Sequence, residues 1–129
     1  MTLSGGCACG AVRFTAEGAP RFAFICQCRD CQRLSGSGNA VQFCHDANRF
    51  EVTGDTAQWA RDTQSGNQMT NHVCKICLSP LYSTTTRAPA IVMVLAGSLD
   101  DPAAITPDRI FYRDDAQPWD HIELPEKGS

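Results

Sequence analysis

The sequence predicts an all-β domain, a sandwich or barrel-like arrangement of many short strands. Apolar and polar residues alternate, or β-branched residues cluster, in several short segments along the chain. Glycine, proline and asparagine separate these segments at close intervals. No long window shows the 3.6-residue period of an amphipathic helix. Short strands between frequent turns are typical of all-β folds.

The elements follow in chain order from alternation and from turn signals. The predicted strands are residues 11–16, 22–25, 39–45, 50–53, 58–63, 68–73, 81–87 and 91–95. In the first of these, Val12 and Phe14 lie on one face because side chains alternate along a strand. Gly36 and Gly38 are expected to allow a positive φ or a close approach of the backbone. Residues 100–104 are predicted to begin a single helical turn.

Length and charge limit the possible classes of protein. The 129 residues match one domain, predicted to span 1–124 with a flexible tail at 125–129. The chain has 11 Lys and Arg against 14 Asp and Glu, and it has no basic run, which argues against nucleic acid as a partner. The first residues lack the features of a signal peptide. The longest apolar run, 88–96, falls short of the ~20 residues that cross a bilayer. We therefore expect a cytoplasmic protein with no membrane partner.

The eight cysteines are the most informative residues of the sequence. They lie at positions 7, 9, 26, 28, 31, 44, 74 and 77. In a reducing compartment such clusters are more often metal ligands than disulfides. Buried thiols and a redox C-x-x-C motif are the alternatives, but the redox motif usually accompanies a βαβ unit that this sequence does not show.

The central motif is C-x-C-x-x-C, formed by Cys26, Cys28 and Cys31. Tetrahedral zinc with Zn–S bonds of about 2.3 Å places neighbouring sulfurs roughly 3.8 Å apart. Same-face residues of a flat strand lie about 6.6 Å apart, so this motif must lie on a bend followed by a tight turn. Three thiols leave one tetrahedral position open, as in catalytic zinc sites. The alternative is a second structural zinc whose fourth ligand is Cys44, a histidine or an aspartate, although Cys44 itself is expected to be a buried free thiol.

Two outer clusters complete a second set of ligands. Cys7 and Cys9 form a C-x-C motif, and Cys74 and Cys77 form a C-x-x-C motif. Together they supply the four thiolates of a closed zinc site. Such a site ties the first strand to the middle of the chain, and structural zinc contributes directly to folding free energy. The sequence thus predicts two zinc ions per chain.

With these motifs in place, the chain resembles the glutathione-dependent formaldehyde-activating enzyme family. The resemblance runs through residues 5–13, 26–33, 50–54, 74–81, 96–102 and 118–119. It implies a two-sheet, tent-like β fold and the same two zinc sites, one structural and one open. Family members join formaldehyde to glutathione to give S-(hydroxymethyl)glutathione. The chain departs from the family pattern at Gln27, where members usually carry His, and at Leu78, where they usually carry Gly.

The expected function is therefore a zinc-dependent carbon-sulfur lyase or synthase that acts on thiol-aldehyde adducts. Cys26, Cys28 and Cys31 are the candidate catalytic residues, and a small thiol such as glutathione is the expected partner. The alternative is a non-catalytic, zinc-stabilised binding module. Arg29 and Arg33 either hold a substrate carboxylate or are solvated surface residues. The sequence makes no prediction of oligomeric state.

The histidines and tryptophans, which could take part in catalysis or binding, are expected to have structural roles instead. These residues are His45, His72, His121, Trp59 and Trp119. The histidines lack ligand-like spacing, although His72 lies two residues before Cys74. The tryptophans either line a pocket or, by default, pack in the core.

Overall fold

The computed structural model describes residues 1–63 and 65–124, so the predicted tail at 125–129 lies outside the described residues. The strands are β1 (Thr2–Gly6), β2 (Arg13–Glu17), β3 (Phe22–Cys26), β4 (Ala40–Asp46), β5 (Phe50–Thr53), β6 (Thr56–Asp62), β7 (Gln68–Cys74), β8 (Pro80–Thr85), β9 (Ile91–Leu95) and β10 (Arg109–Phe111). The helices are α1 (Arg29–Ser35) and the 3-10 turns Ala47–Arg49, Ala96–Ser98, Pro102–Ala104 and Arg113–Asp115.

The strands form two sheets, as the resemblance to the family implied. The smaller sheet has the order β1-β2-β5 and the larger has the order β10-β3-β4-β9-β8-β7-β6. Neighbouring strands are antiparallel except β10, which pairs with β3 in parallel. The main core joins the two sheets, with Phe14 of β2 packed in the same cluster as Phe43 of β4 and Val94 of β9. Burial of this shared apolar surface holds the sheets together.

All eight predicted strands are present, with ends that differ by a few residues, and the turn predicted at 100–104 is the 3-10 turn Pro102–Ala104. Two strands were not predicted, β1 and β10. The first carries Gly5 and Gly6, which are poor strand formers. A Cβ on Gly5 would lie 2.3 Å from the Ser98 carbonyl oxygen, so glycine lets β1 approach that turn closely. The second has only three residues and depends on its pairing with β3.

The tight turn predicted between Cys28 and Cys31 is the first turn of an α-helix, α1, which the sequence did not predict. Cys28 caps α1, and its sulfur accepts a hydrogen bond from the Cys31 N–H at 3.4 Å. Gly36 ends the helix with a φ of +68°, which confirms the role expected of this glycine. A helix of seven residues is too short to show helical periodicity in the sequence.

A second, smaller cluster lies on the other face of the larger sheet. Phe24 and Cys26 of β3 point away from the main core, since the intervening residues alternate between the faces. Cys26 pairs with Ala40 of β4, and both pack with Cys31 of α1. The fold thereby places α1 and the central cysteines on the outer face of the larger sheet, at the end of β3.

Candidate metal centres

Cys7, Cys9, Cys74 and Cys77 meet between the end of β1 and the turn from β7 to β8. All four sulfurs lie within 4.8 Å of one another. The Cys7 and Cys9 sulfurs are 3.6 Å apart, and the Cys9 and Cys74 sulfurs are 3.8 Å apart. These separations match the roughly 3.8 Å expected for sulfurs around tetrahedral zinc. The four-cysteine cluster therefore fits a closed zinc site.

Hydrogen bonds around the four-cysteine cluster favour the thiolate form of Cys7 and Cys77, whose pKa values are lowered, whereas the pKa of Cys9 is raised to about 11. The Val12 N–H donates to the Cys7 sulfur at 3.2 Å, and the Ile76 N–H donates to the Cys74 sulfur at 3.3 Å. The Ser79 hydroxyl lies 3.1 Å from the Cys77 sulfur and lowers the pKa of that thiol to about 5. Since metal ligands must be deprotonated, these donors prepare the sulfurs for a cation.

Leu78 follows the last of these cysteines in a left-handed conformation. Its φ is +63°, and its side chain is 65% exposed. This is the position at which the resemblance described above leads us to expect glycine. A Cβ in the left-handed region costs roughly 1–2 kcal/mol. The turn geometry is thus the one that glycine would adopt without strain, and leucine adopts it with strain.

We expect Leu78→Gly to raise the free energy of unfolding of the metal-loaded protein by about 0.5–1 kcal/mol, because relief of strain exceeds the added entropy of the unfolded chain. Leu78→Ala is the matched control, since it removes the same exposed side chain but keeps a Cβ. Denaturant titration measures both. Equal stabilisation by the two variants would show that strain is not the cause.

Cys26, Cys28 and Cys31 form a three-cysteine cluster whose sulfurs lie within 4.8 Å of one another. The Cys26 thiol lies 3.3 Å from the Cys28 sulfur and donates to it. This bond lowers the pKa of Cys28 to about 2 and raises the pKa of Cys26 to about 11. The cluster therefore holds one thiolate close to two further sulfurs, and this arrangement is favourable for binding a cation.

Among the described residues, no His, Asp, Glu or further Cys joins the three-cysteine cluster. Cys44 is a free thiol, 1% exposed, and burial raises its pKa. Its prediction as a buried free thiol is confirmed. Cys26 and Cys31 are buried, whereas Cys28 is partly exposed. The donor set fits a zinc site with three protein ligands and one position for a further ligand.

The two arginines that flank the cluster are exposed. Arg29 donates to the side-chain oxygen of Gln32 rather than to a sulfur. Arg33 lies in the last turn of α1, where a cation favours the negative end of the helix.

The histidines lie outside both clusters. The Nε2 atom of His45 lies 2.9 Å from the Glu17 carbonyl oxygen. The ring of His72 stacks on Tyr82 at 4.2 Å, and burial lowers its pKa, which keeps the imidazole neutral. His121 is exposed. The structure gives none of the three a ligand role.

Neither tryptophan is in the core, so that prediction was wrong. Trp59 is 47% exposed and Trp119 is 65% exposed. Trp59 lies on β6, which is the edge strand of the larger sheet and has a neighbour on one side only. Trp119 lies in the irregular segment after the last 3-10 turn.

A cleft of about 640 Å³ lies beside the four-cysteine cluster. Cys7 and Ser79 line it, and so does Ala40, which packs in one cluster with Cys26 and Cys31. The three central cysteines do not line the cleft themselves. Arg13 and Asp100 form an ion pair at its rim, with Nη1 and Oδ1 2.9 Å apart. Sites for small ligands commonly have volumes of about 300–1,000 Å³, so the cleft has room for one.

These observations define a class of small β proteins that bring seven cysteines together in two clusters suited to metal. The family model described as glutathione-dependent formaldehyde-activating enzyme matches residues 2–115. The chain belongs to this family.

Two individual proteins are similar to the chain. One, from Halomonas elongata and named provisionally as a glutathione-dependent formaldehyde-activating enzyme, is 30% identical over 98% of this chain and 85% of its own length. The other is a Rhodobacter sphaeroides protein with a crystal structure. It has a TM-score of 0.64 and 18% identity, covering 83% of this chain and 98% of that chain. The second likeness concerns the fold alone. In the described part of this chain, no helix is long and apolar enough to cross a membrane.

Proposed function

We propose that the protein is a zinc-dependent carbon-sulfur lyase or synthase that makes or breaks the bond between a thiol and an aldehyde carbon. The observation that carries the proposal is the three-cysteine cluster, which has no fourth protein ligand among the described residues. The thiol-aldehyde adduct on which the enzyme acts is of the S-(hydroxymethyl)glutathione type. Membership of the family and the name of the Halomonas relative support glutathione and formaldehyde as the substrate class.

In this proposal each cluster holds one zinc ion. Cys7, Cys9, Cys74 and Cys77 hold a structural ion, and Cys26, Cys28 and Cys31 hold the second. When bound at the three-cysteine cluster, zinc supplies a cation that favours the thiolate form of a substrate thiol.

The three cysteines of this cluster have different roles in the proposed reaction. Cys26 and Cys31 are buried against the larger sheet and keep water from that side of the centre. Cys28 is partly exposed and gives the centre its access to substrate. In the forward direction the substrate sulfur bonds to the aldehyde carbon, and the thiol proton ends on the aldehyde oxygen, so the reaction needs no oxidant or reductant. The cleft lined by Ala40, which packs with Cys26 and Cys31, provides room for the peptide part of the thiol.

The test is to measure how the zinc-loaded protein changes the rate of exchange between free formaldehyde and S-(hydroxymethyl)glutathione, by NMR at equilibrium. We expect faster exchange with the loaded protein than with the same protein stripped of metal. Cysteine and other small thiols replace glutathione in parallel runs to define the substrate. Absence of acceleration with every thiol would contradict the proposal.

A binding module without catalysis is the second candidate function. The observation that favours it is the pair Ile76 and Leu78, which are 75% and 65% exposed on the four-cysteine loop. Exposed apolar side chains on a surface loop suit contact with another protein. A module would bind zinc and leave the exchange rate unchanged, which separates the two functions in the same assay.

The two sites are expected to release zinc in order. The three-cysteine cluster offers one protein ligand fewer than the four-cysteine cluster, so it should lose its ion first when a chelator is added. A colorimetric zinc indicator should record two phases, of which the first leaves the circular dichroism spectrum unchanged. Release of both ions in one phase would contradict this order.

A further inference from the structure

Gln32 of α1 is a buried polar side chain with every hydrogen-bonding position filled. It is 4% exposed. Its Nε2 donates to the Gln27 carbonyl oxygen at 2.9 Å and to the Asp115 carbonyl oxygen at 3.0 Å. Its Oε1 accepts from Gln117 Nε2 at 3.0 Å and from Arg29. A single carboxamide thus joins the central loop, α1 and the C-terminal part of the chain.

Gln27 is the residue between Cys26 and Cys28, and it is held at three points. Its carbonyl oxygen accepts from Gln32, its N–H donates to the Phe111 carbonyl oxygen at 3.0 Å, and its side-chain Nε2 donates to Asp120 Oδ2 at 3.1 Å. Its own side chain is 2% exposed. The peptide that sets the separation of the first two sulfurs is therefore fixed from both its ends.

Two of these three contacts come from residues 111–120, which we call the C-terminal strap. Asp120 of the strap also accepts from Asn39 Nδ2 at 3.3 Å. A Cβ on Gly38 would lie 2.4 Å from the Asp120 side-chain carbon Cγ, so only glycine leaves room for this carboxylate. The family model matches up to residue 115, so Gln117 and Asp120 lie beyond the matched region.

We propose that Gln32 is a positioning residue for the three-cysteine centre, which it fixes by tying the Gln27 carbonyl to the C-terminal strap. The Cys26 and Cys28 sulfurs lie 3.3 Å apart because the strand ends at Cys26 and the chain bends at Cys28. In a flat strand, same-face side chains would be about 6.6 Å apart. The bend leaves the Gln27 carbonyl without a strand partner, and the Gln32 amide supplies one. Without that donor, the backbone at Gln27 is no longer held in one conformation, and the distance between the Cys26 and Cys28 sulfurs is no longer fixed. The inference rests on the proposed function in so far as the centre holds a metal.

The test compares cobalt affinity at the two cysteine clusters by competition with a chelator. Gln32→Met keeps the length of the side chain and removes both donors. Gln117→Met is the matched control, since it removes one bond to the same carboxamide but leaves the donors in place. Outer residues that orient metal ligands commonly change metal affinity by ~10–100-fold. In Gln32→Met we expect cobalt affinity at the three-cysteine cluster to fall by that factor. In Gln117→Met we expect the affinity at this cluster to fall by less than about threefold. The affinity at the four-cysteine cluster should stay unchanged in both variants.

Gly38→Ala provides a second variant that touches no hydrogen-bonding group of α1. The added Cβ displaces Asp120 from Gln27, so we expect the same loss of affinity in a smaller degree. Unchanged affinity at the three-cysteine cluster in both variants would overturn the inference. Equal losses at both clusters would overturn it too, because they would indicate general destabilisation.

A measurement without metal separates this inference from the proposed function. If the wild-type three-cysteine cluster takes up no metal, the proposed function fails, and amide exchange in the metal-free protein decides the role of Gln32. We expect exchange at the Gln27 and Cys31 amides to be roughly tenfold faster in Gln32→Met, as for loss of a buried hydrogen bond. Exchange at the wild-type rate would overturn the inference.

Discussion

Cys77→Ser is expected to give insoluble or unfolded protein. Cys77 belongs to the four-cysteine cluster, which joins parts of the chain far apart in sequence: Cys9 and Cys74 are 65 residues apart. Metal-linked stabilisation of small zinc peptides reaches ~10–16 kcal/mol, while whole domains are stable by only ~5–15 kcal/mol. Loss of one of four ligands should therefore remove much of the net stability.

The measurement is the soluble fraction on expression, followed by thermal melting of any soluble protein. Cys44→Ala is the matched control, because Cys44 is a buried thiol outside both clusters. We expect the control to remain folded with a moderate loss of stability. A Cys77→Ser protein that melts like the wild type would show that the four-cysteine cluster does not stabilise the fold.

Cys28→Ser is expected to have the opposite outcome, with the fold kept and turnover lost. The three-cysteine cluster spans only residues 26–31 and closes a short loop. Closing so short a loop constrains little of the chain, so its metal contributes little to folding. The partly exposed Cys28 sulfur is nevertheless the one through which substrate reaches the centre in the proposed function. We therefore expect one zinc ion per chain, a wild-type circular dichroism spectrum and cooperative melting.

Activity of Cys28→Ser is measured on every thiol-aldehyde adduct that the wild type accepts. Background exchange alone is the expected result. Full retention of activity would show that the three-cysteine cluster is not the reaction centre. The chain would then be better described as a zinc-stabilised binding domain.

Alternation and cysteine spacing predicted most of the fold and both cysteine clusters, because each of these signals is local. Alternation of apolar and polar residues around Phe14, and the apolar run around Val94, each predicted a strand. The C-x-C motifs predicted bends because sulfurs that bind one zinc ion must lie closer together than side chains on one face of a flat strand. The same local signals missed β1, whose glycines are needed for contact with a turn almost a hundred residues later, as the pairing of Gly5 with Leu99 shows. They missed α1 because its pattern is too short to repeat.

The polar surroundings of the three-cysteine cluster had no sequence signal. Gln32 and Asp115 are 83 residues apart, and Gln27 and Asp120 are 93 residues apart. A glutamine in a loop usually faces solvent, so nothing in its local sequence marks Gln27 as 2% exposed. Leu78 is a partial exception. Its departure from the glycine that the resemblance leads us to expect put the geometry of this turn in question, and the positive φ of Leu78 shows that the turn keeps a conformation that glycine favours.

The visible spectrum of the cobalt-substituted protein, recorded with and without glutathione, tests the central claim most directly. Cobalt in a closed four-thiolate site cannot accept another ligand, whereas cobalt at the three-cysteine cluster has a position left for one. We predict two cobalt ions per chain and a change in the thiolate bands of one of them when glutathione is added. That change should be absent in Cys28→Ser. Two sites whose spectra stay unchanged at millimolar glutathione would contradict the claim that the three-cysteine cluster is an open metal centre.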